Sequence, residues 1–330
     1  MKVGKINNLI LKEKILDNIS YRNPEVLVHA GVGEDCAVVD FGEEVLVISS
    51  DPITGAVDKA GFLAVHINAN DLAAAGASPL GMQVVLLFPN ATEEFEIASL
   101  MEEIHQTAAE IGVEIIGGHT EIVDTVTRPM IVITGIGKAP ADNYVTTGGA
   151  RQGDDIIVTK SVGIEGTFIL AVDFANHLQE EDVSFDCIEE AQSFSERISV
   201  LAEGLLAAEK GVNALHDITE GGLYGALEEL SEAAGKGFIL EVDEVPVAPE
   251  TETICSALKL DPLGLLASGS MLITAPDGRE IVDHLHKNNI EASIIGTITA
   301  SDKFIKDKKE LKRFEWAGKD ELWAWLELCS

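Results

Sequence analysis

Three carboxylates near the start of the chain, Glu34, Asp35 and Asp51, flank two short apolar runs in GVGEDCAVVDFGEEVLVISSD (31–51). A carboxylate beside a buried strand is costly unless a cation meets it. Lys and Arg are almost absent nearby, so a metal ion is the candidate partner. A further acid lies in AGFLAVHINANDLAAAGASP (60–79), where Leu63, Ile67 and Ala74 trace one helical stripe and Asp71 falls on it, four residues after Ile67. Asn68, Asn70 and Asp71 suit a helix interior poorly, because such side chains compete for backbone hydrogen bonds. Two readings stand: a polar cluster satisfied within a packing contact, or an inward carboxylate at a metal or phosphate site.

Two glycine pairs add possible anion sites. In GVEIIGGHTEIVD (112–124) a strand runs into Gly117 and Gly118, which bring backbone N–H groups close to a phosphate, followed by His119, Thr120 and Glu121, suited to hydrogen bonding or ligation. A hairpin turn without ligand explains the pair equally well. In NALHDITEGGLYGALEELSEAAG (213–235) a strand leads to His216 and Asp217, a glycine pair, and an amphipathic helix built on Leu223, Leu227 and Leu230. The helix N-terminus near Gly221 offers free N–H groups to an anion. Thr219 as a simple N-cap and Asp217 as a turn former are the alternative. The chain has no G-x-x-x-x-G-K-[ST], G-x-G-x-x-G, H-E-x-x-H or G-x-S-x-G pattern, which removes support for the common nucleotide loops, zinc proteases and serine hydrolases.

Alternating elements must position these residues. VLVISSD, GMQVVLLF, GVEIIGG, RPMIVITGIG, DIIVTK, GFILEVDEV, SMLITA and ASIIGTIT read as strands bounded by Gly, Pro and Asp. Ile97, Met101, Ile104, Ala108 and Ile111 give 92–111 one buried helical stripe that stops at Gly112. The turn-rich TTGGARQGDD divides the chain at about residue 150, giving domains 1–150 and 151–330 in an α/β (α+β) protein. Trp316, Trp323 and Trp325 all fall in the final stretch and are expected to pack a terminal helix onto a domain.

At 330 residues and 46% hydrophobic, the chain can fill two cores. Its 56 acidic against 23 basic residues, a formal charge of −33, repel nucleic acid and anionic membranes. The first residues lack a signal-peptide core and no apolar run could span a bilayer, so a cytoplasmic protein is expected. Cys36, Cys187, Cys255 and Cys329 stand far apart and read as reduced thiols.

Six ordered motifs, GVGEDCAVV, SSDPITG, NANDLAAAGASP, GGHTE, HDITEGG and DPLGLLASGSMLIT, resemble the aminoimidazole ribonucleotide (AIR) synthetase-like, or PurM-like, ATP-binding superfamily over nearly the whole chain. That superfamily includes the purine cyclo-ligase, thiamine-monophosphate kinase, selenophosphate synthetase and the hydrogenase maturation factor that dehydrates a carboxamide to a nitrile. The resemblance implies an N-terminal domain that homodimerises through its sheet into a shared barrel, with Mg-ATP bound near that interface. The second domain would cover the phosphates and form a pocket for a small-molecule or protein-tethered acceptor, to which Glu165 to Thr167 are loosely tied. It further implies that Asp35, Asp51 and Asp71 hold magnesium and that Asn68, Gly117, Gly118, His119 and Thr120 lie on the nucleotide side. Asp217 and His119 become the catalytic candidates.

Within the superfamily the wording is most similar to hydrogenase-maturation-type and AIR synthase-related members. His119 replaces the usual Asp of a G-D-T turn, and the V-E-G-V-H-F continuation of the thiamine-monophosphate kinases is absent. The chain ends LELCS rather than P-R-[IV]-C, so Cys329 reads either as an incidental thiol or as the substrate-bearing one. The expectation is a Mg-ATP-dependent enzyme that activates an oxygen by phosphoryl transfer. A thiamine-monophosphate kinase, a selenophosphate synthetase-like phosphotransferase and an ATP-binding regulatory protein without turnover are the alternatives.

Overall fold

The computed structural model describes residues 5–53 and 59–329, with only the backbone of Cys329. The question of whether Cys329 carries substrate therefore falls outside the described side chains.

Residues 26–140 form a six-stranded sheet in the order β1 (Val26–Val28), β2 (Ala37–Asp40), β3 (Glu44–Ile53), β6 (Met130–Pro140), β4 (Ser78–Pro89), β5 (Glu114–Val123). Every pairing is antiparallel except β4 with β5. Residues 155–313 form a seven-stranded sheet in the order β13 (Glu310–Arg313), β12 (Lys303–Asp307), β9 (Gly237–Glu241), β11 (Ala292–Thr299), β7 (Asp155–Thr159), β10 (Ser270–Ala275), β8 (Ala214–Ile218). The strands read from sequence are all present. Missed were β1, only three residues long, and the charged β12 and β13, whose KFIKD and ELKR show no apolar alternation.

Two early helices are α1 (Asn8–Lys14) and α2 (Ala60–Ala74), and α3 (Glu94–Glu110) follows β4. As the stripe in 92–111 predicts, α3 is a surface helix that buries Ile104 and Ala108. By contrast α2 is buried almost all round: only Ala60, Phe62 and Ile67 escape full burial. Its Ala-rich sequence has no polar face, which is what a helix covered on every side requires. It packs on β3 and β6 on one side, and on β8 and α7 (Leu201–Glu209) on the other. The α7 contact is close enough that a Cβ on Gly204 would lie 2.4 Å from the Ala73 carbonyl oxygen.

The second sheet is covered by α8 (Gly222–Ala234) and α10 (Gly278–Lys287), while α4 (Ile164–Asp173), α5 (Ala175–Glu180), α6 (Phe185–Gln192), α9 (Pro249–Leu258) and α11 (Glu321–Cys329) pack on one another around a core of their own. Leu223, Leu227 and Leu230 are each 0% exposed on α8, as their spacing predicts. The tryptophans divide their work: Trp325 of α11 packs edge-on against Phe174 at 4.9 Å, while Trp316 precedes the helix and lies over Gly221. No helix among the described residues is long and apolar enough to cross a membrane.

Candidate active site

A cleft of about 640 Å³ opens between the two sheets, and four aspartates converge on it. Asp35 arrives on the loop before β2, Asp51 from within β3, Asp71 from the last turn of α2, and Asp217 from β8. Asp71 turns its carboxylate out of the helix to accept a short hydrogen bond from Ser49 Oγ, which also lies 3.3 Å from Asp51 Oδ2. Burial first, then Asp217 and Asp51, push the Asp71 carboxyl well above the usual range. Burial and then Asp35 likewise push Asp217 up to about 8, although His216 works against them. Asp217 Oδ2 is buried with no hydrogen-bond partner. Crowded acids and an orphaned carboxylate oxygen leave cationic charge missing, and oxygen ligands of this kind fit a hard divalent cation.

His216 is the part of the cluster that sequence reasoning passed over. Its Nδ1 lies 2.8 Å from Asp35 Oδ2 and its Nε2 3.2 Å from Glu229 Oε2. Burial opposes a charge there, but the two carboxylates outweigh it and raise His216 well above its usual range, so that both ring nitrogens carry protons and donate. Asp35, His216 and Asp217 bring ligand atoms within 4.8 Å of one another. A histidine donating from both nitrogens has no lone pair for a metal, so a cation here would be held by the aspartates, with His216 positioning Asp35. The relay continues to Lys5, whose Nζ donates to Glu229 Oε1 at 2.6 Å. Although burial favours the neutral acid, His216 and Lys5 hold Glu229 down at about 2. Only tertiary structure joins these residues, 181 positions apart for His216 and Asp35, which is why spacing gave no signal.

Of the other asparagines in the NANDLA helix, Asn70 follows the packing reading. Asn70 donates to the Ile198 carbonyl at 2.9 Å and accepts from Val200 N–H at 2.8 Å, tying α2 to the second sheet's layer. Asn68 is 1% exposed, donates to the Ile133 carbonyl at 3.2 Å, and does not line the cleft. Its Oδ1 is buried without a hydrogen-bond partner.

Gly117, Gly118, His119 and Thr120 are not a turn but part of the continuous edge strand β5. The glycine pair serves strand packing: Gly118 has φ +148°, and a Cβ there would lie 1.8 Å from the Val84 carbonyl of β4. The His119 side chain is 65% exposed, 3.4 Å from Glu121, and outside the cleft lining. At α8 the place expected for an anion near Gly221 is filled from within by the Asp320 carboxyl. Asp320 accepts from Gly221 N–H at 2.6 Å and from Leu322 N–H at 2.8 Å, and Thr219 makes no side-chain cap.

With this geometry in view, comparison with known proteins is specific. Residues 33–139 match the AIR synthase related protein, N-terminal domain, and residues 151–308 its C-terminal domain. A Methanocaldococcus jannaschii protein assigned to hydrogenase expression and formation is 30% identical over 313 residues, 91% of this chain and 90% of its own. The carbamoyl dehydratase HypE of Cupriavidus necator is 33% identical over 214 residues, 64% of this chain and 58% of its own. Among solved structures, HypE in its complex with HypF has a TM-score of 0.75 at 20% identity, covering 93% of this chain and 99% of that one. HypE in complex with ATP has a TM-score of 0.65 at 23% identity, covering 95% and 96%. The chain has the two-domain PurM-like fold and belongs to the AIR synthase related protein family, among its HypE-like members.

Proposed function

We propose that the protein is a cytoplasmic, homodimeric, Mg-ATP-dependent enzyme that activates an acceptor oxygen by phosphoryl transfer, most like the hydrogenase-maturation branch. One observation carries this reading: four aspartates meet on one cleft, with Asp217 Oδ2 buried and unpartnered. Asp35, Asp51 and Asp71 would hold magnesium, which when bound neutralises triphosphate charge and polarises the transferred group. His216 fixes the orientation of Asp35. Asp217, on the same cleft, would orient or deprotonate the acceptor. Residues 1–150 and 151–330 are proposed as the two domains.

The dimer is supported by the bare edge of the first sheet, where Ile116 and Ile122 of β5 are 48% and 47% exposed. In the proposed dimer Gly117 to Thr120 meet a nucleotide bound near the interface, which keeps His119 and Thr120 as nucleotide-side candidates. A mass near twice 35.2 kDa in light scattering, reduced to 35.2 kDa by Ile116→Asp with Ile122→Asp, tests it. A monomer before substitution would sink it.

A second reading, an ATP binder without turnover, is favoured by the shortage of cationic side chains: among the described residues lining the cleft, Lys5 is the one Lys or Arg. Incubation with Mg-ATP and a panel of candidate acceptors, followed by product analysis, separates the readings. ADP or AMP formation supports the enzyme, and intact ATP on a binding-competent protein supports the binder.

A further inference from the structure

The basic residues of this acidic chain are unevenly spread. Six of its 23 fall between residues 303 and 313, in the hairpin of β12 and β13, against two of its 56 acids, although the formal charge of the whole is −33. Three of the six have fixed partners: Lys303 meets Glu228 at 2.8 Å, Lys306 meets Glu241 at 2.7 Å and Lys312 meets Glu310 at 2.8 Å. Lys308, Lys309 and Arg313 have no ion-pair partner among the described residues.

The turn between the strands holds Lys308 at φ +46° and Lys309 at φ +84°. Asn and Gly are usual at such positions, because most side chains cost stability at positive φ. Lysines along a sheet edge commonly guard it against self-pairing, but guarding does not call for them at the two strained positions of the turn. Strain kept at a surface tip points to a use for the charge placed there.

The hairpin is also a preformed strand edge. β13 ends the seven-stranded sheet and all four of its residues are exposed, Leu311 by 55%. Its base is fixed by Phe314, which packs edge-on against Phe238 at 5.1 Å and donates its N–H to the Lys303 carbonyl at 2.9 Å. At the tip, Lys308 N–H donates to Asp243 Oδ2 at 3.1 Å. An ordered edge presents backbone groups to one more strand and has little left to lose in freedom when it takes one.

Charge selects the partner. On one face of the hairpin a groove of about 580 Å³ carries Asp243, Glu252, Asp261, Asp307 and Glu315, so an acidic segment is turned away there and confined to the open edge and tip. A nucleic acid has no strand to add and would run onto the acidic surface beyond. A second copy meeting edge to edge would set the same cations against each other.

We propose that the β12–β13 hairpin is a docking edge for an extended acidic segment of another protein, which adds as a strand along β13 with its carboxylates on Lys308, Lys309 and Arg313. None of these residues lines the aspartate cleft, so the proposal does not rest on the reaction assigned there. The probe is a short fluorescein-labelled peptide alternating glutamate with threonine. With the full-length protein it is expected to bind saturably at micromolar concentration, and to slow amide exchange at residues 310–313. Affinity should fall about tenfold or more as sodium chloride rises from about 0.05 M to about 0.5 M. Lys308→Asn combined with Lys309→Gly removes two charges and relaxes the turn, so Tm is expected to rise while peptide affinity falls about tenfold. Arg313→Gln is expected to weaken the peptide as well. Absence of saturable binding, affinity unchanged in these variants, or exchange at 310–313 unaltered by the peptide overturns the proposal. A lower Tm in the double variant does so too, since the lysines would then serve the turn itself. An oligonucleotide of matching charge that binds as tightly as the peptide, or self-association of the protein through this edge, assigns the hairpin to a different partner and equally overturns it.

Discussion

His216 Nδ1 lies 2.8 Å from Asp35 Oδ2, so a residue of the second sheet sets the orientation of a carboxylate carried by the first domain. The same imidazolium is held from behind by Glu229, and Glu229 by Lys5. His216→Ala should leave Asp35 and Glu229 facing each other without the cation. Breaking a buried pair of this kind costs about 3 to 5 kcal/mol, and metal affinity should fall with it. Thermal unfolding with and without magnesium checks both effects, and an unchanged Tm in both would show that the relay is not a working contact.

Asp71→Asn should behave differently. Asp71 is crowded by Asp217 and Asp51, and removing one of several like charges relieves that repulsion. The variant is expected to match or exceed the parent's Tm without metal at pH 8, yet to lose the stabilisation that magnesium with ATP confers. A lower Tm without metal would argue that Asp71 is structural.

Asn70→Ala should damage the junction of α2 with the second sheet's layer. It removes two buried bonds, to Ile198 and from Val200, and strands both backbone groups. The expected cost is about 2 kcal/mol or more, a fall in Tm of roughly 4 °C in a domain of this size. Denaturant unfolding measures it directly.

Stability should also depend on Asp320. Burial raises its carboxyl to about 7 despite the N–H groups of Gly221 and Leu322, which favour the charged form. The unfolded value is about 3.9. A carboxyl raised by folding contributes stability that is fully present below the unfolded value and lost as pH rises through the folded one. Tm should therefore decline from about pH 4 to about pH 7, and Asp320→Asn, which cannot ionise, should flatten that decline. An identical slope in the variant would contradict the assignment.

Much of this was legible in the sequence because burial is expensive for acids. Asp35 and Asp51 stood out as carboxylates beside apolar runs, Asp71 as an acid on an apolar helical stripe, and Asp217 through the family resemblance of its motif, and the structure gathers all four on one cleft. The turn expected at Gly117 and Gly118 is a strand instead, since a glycine pair signals either a turn or close strand contact, and the Val84 carbonyl that decides between them is 34 residues from Gly118. His216, Glu229 and Lys5 were silent for the same reason: each looks like an ordinary surface or strand residue until the fold joins them. Asp320 was equally hidden, because nothing local ties it to the start of α8.

The central claim is that the aspartate cluster binds ATP through magnesium. Calorimetric titration of ATP into the full-length protein, with and without magnesium, tests it most directly, with Asp71→Asn run in parallel. Binding that appears only with magnesium and disappears in Asp71→Asn is the expected result. Binding of equal strength without magnesium, or none under either condition, would contradict the account.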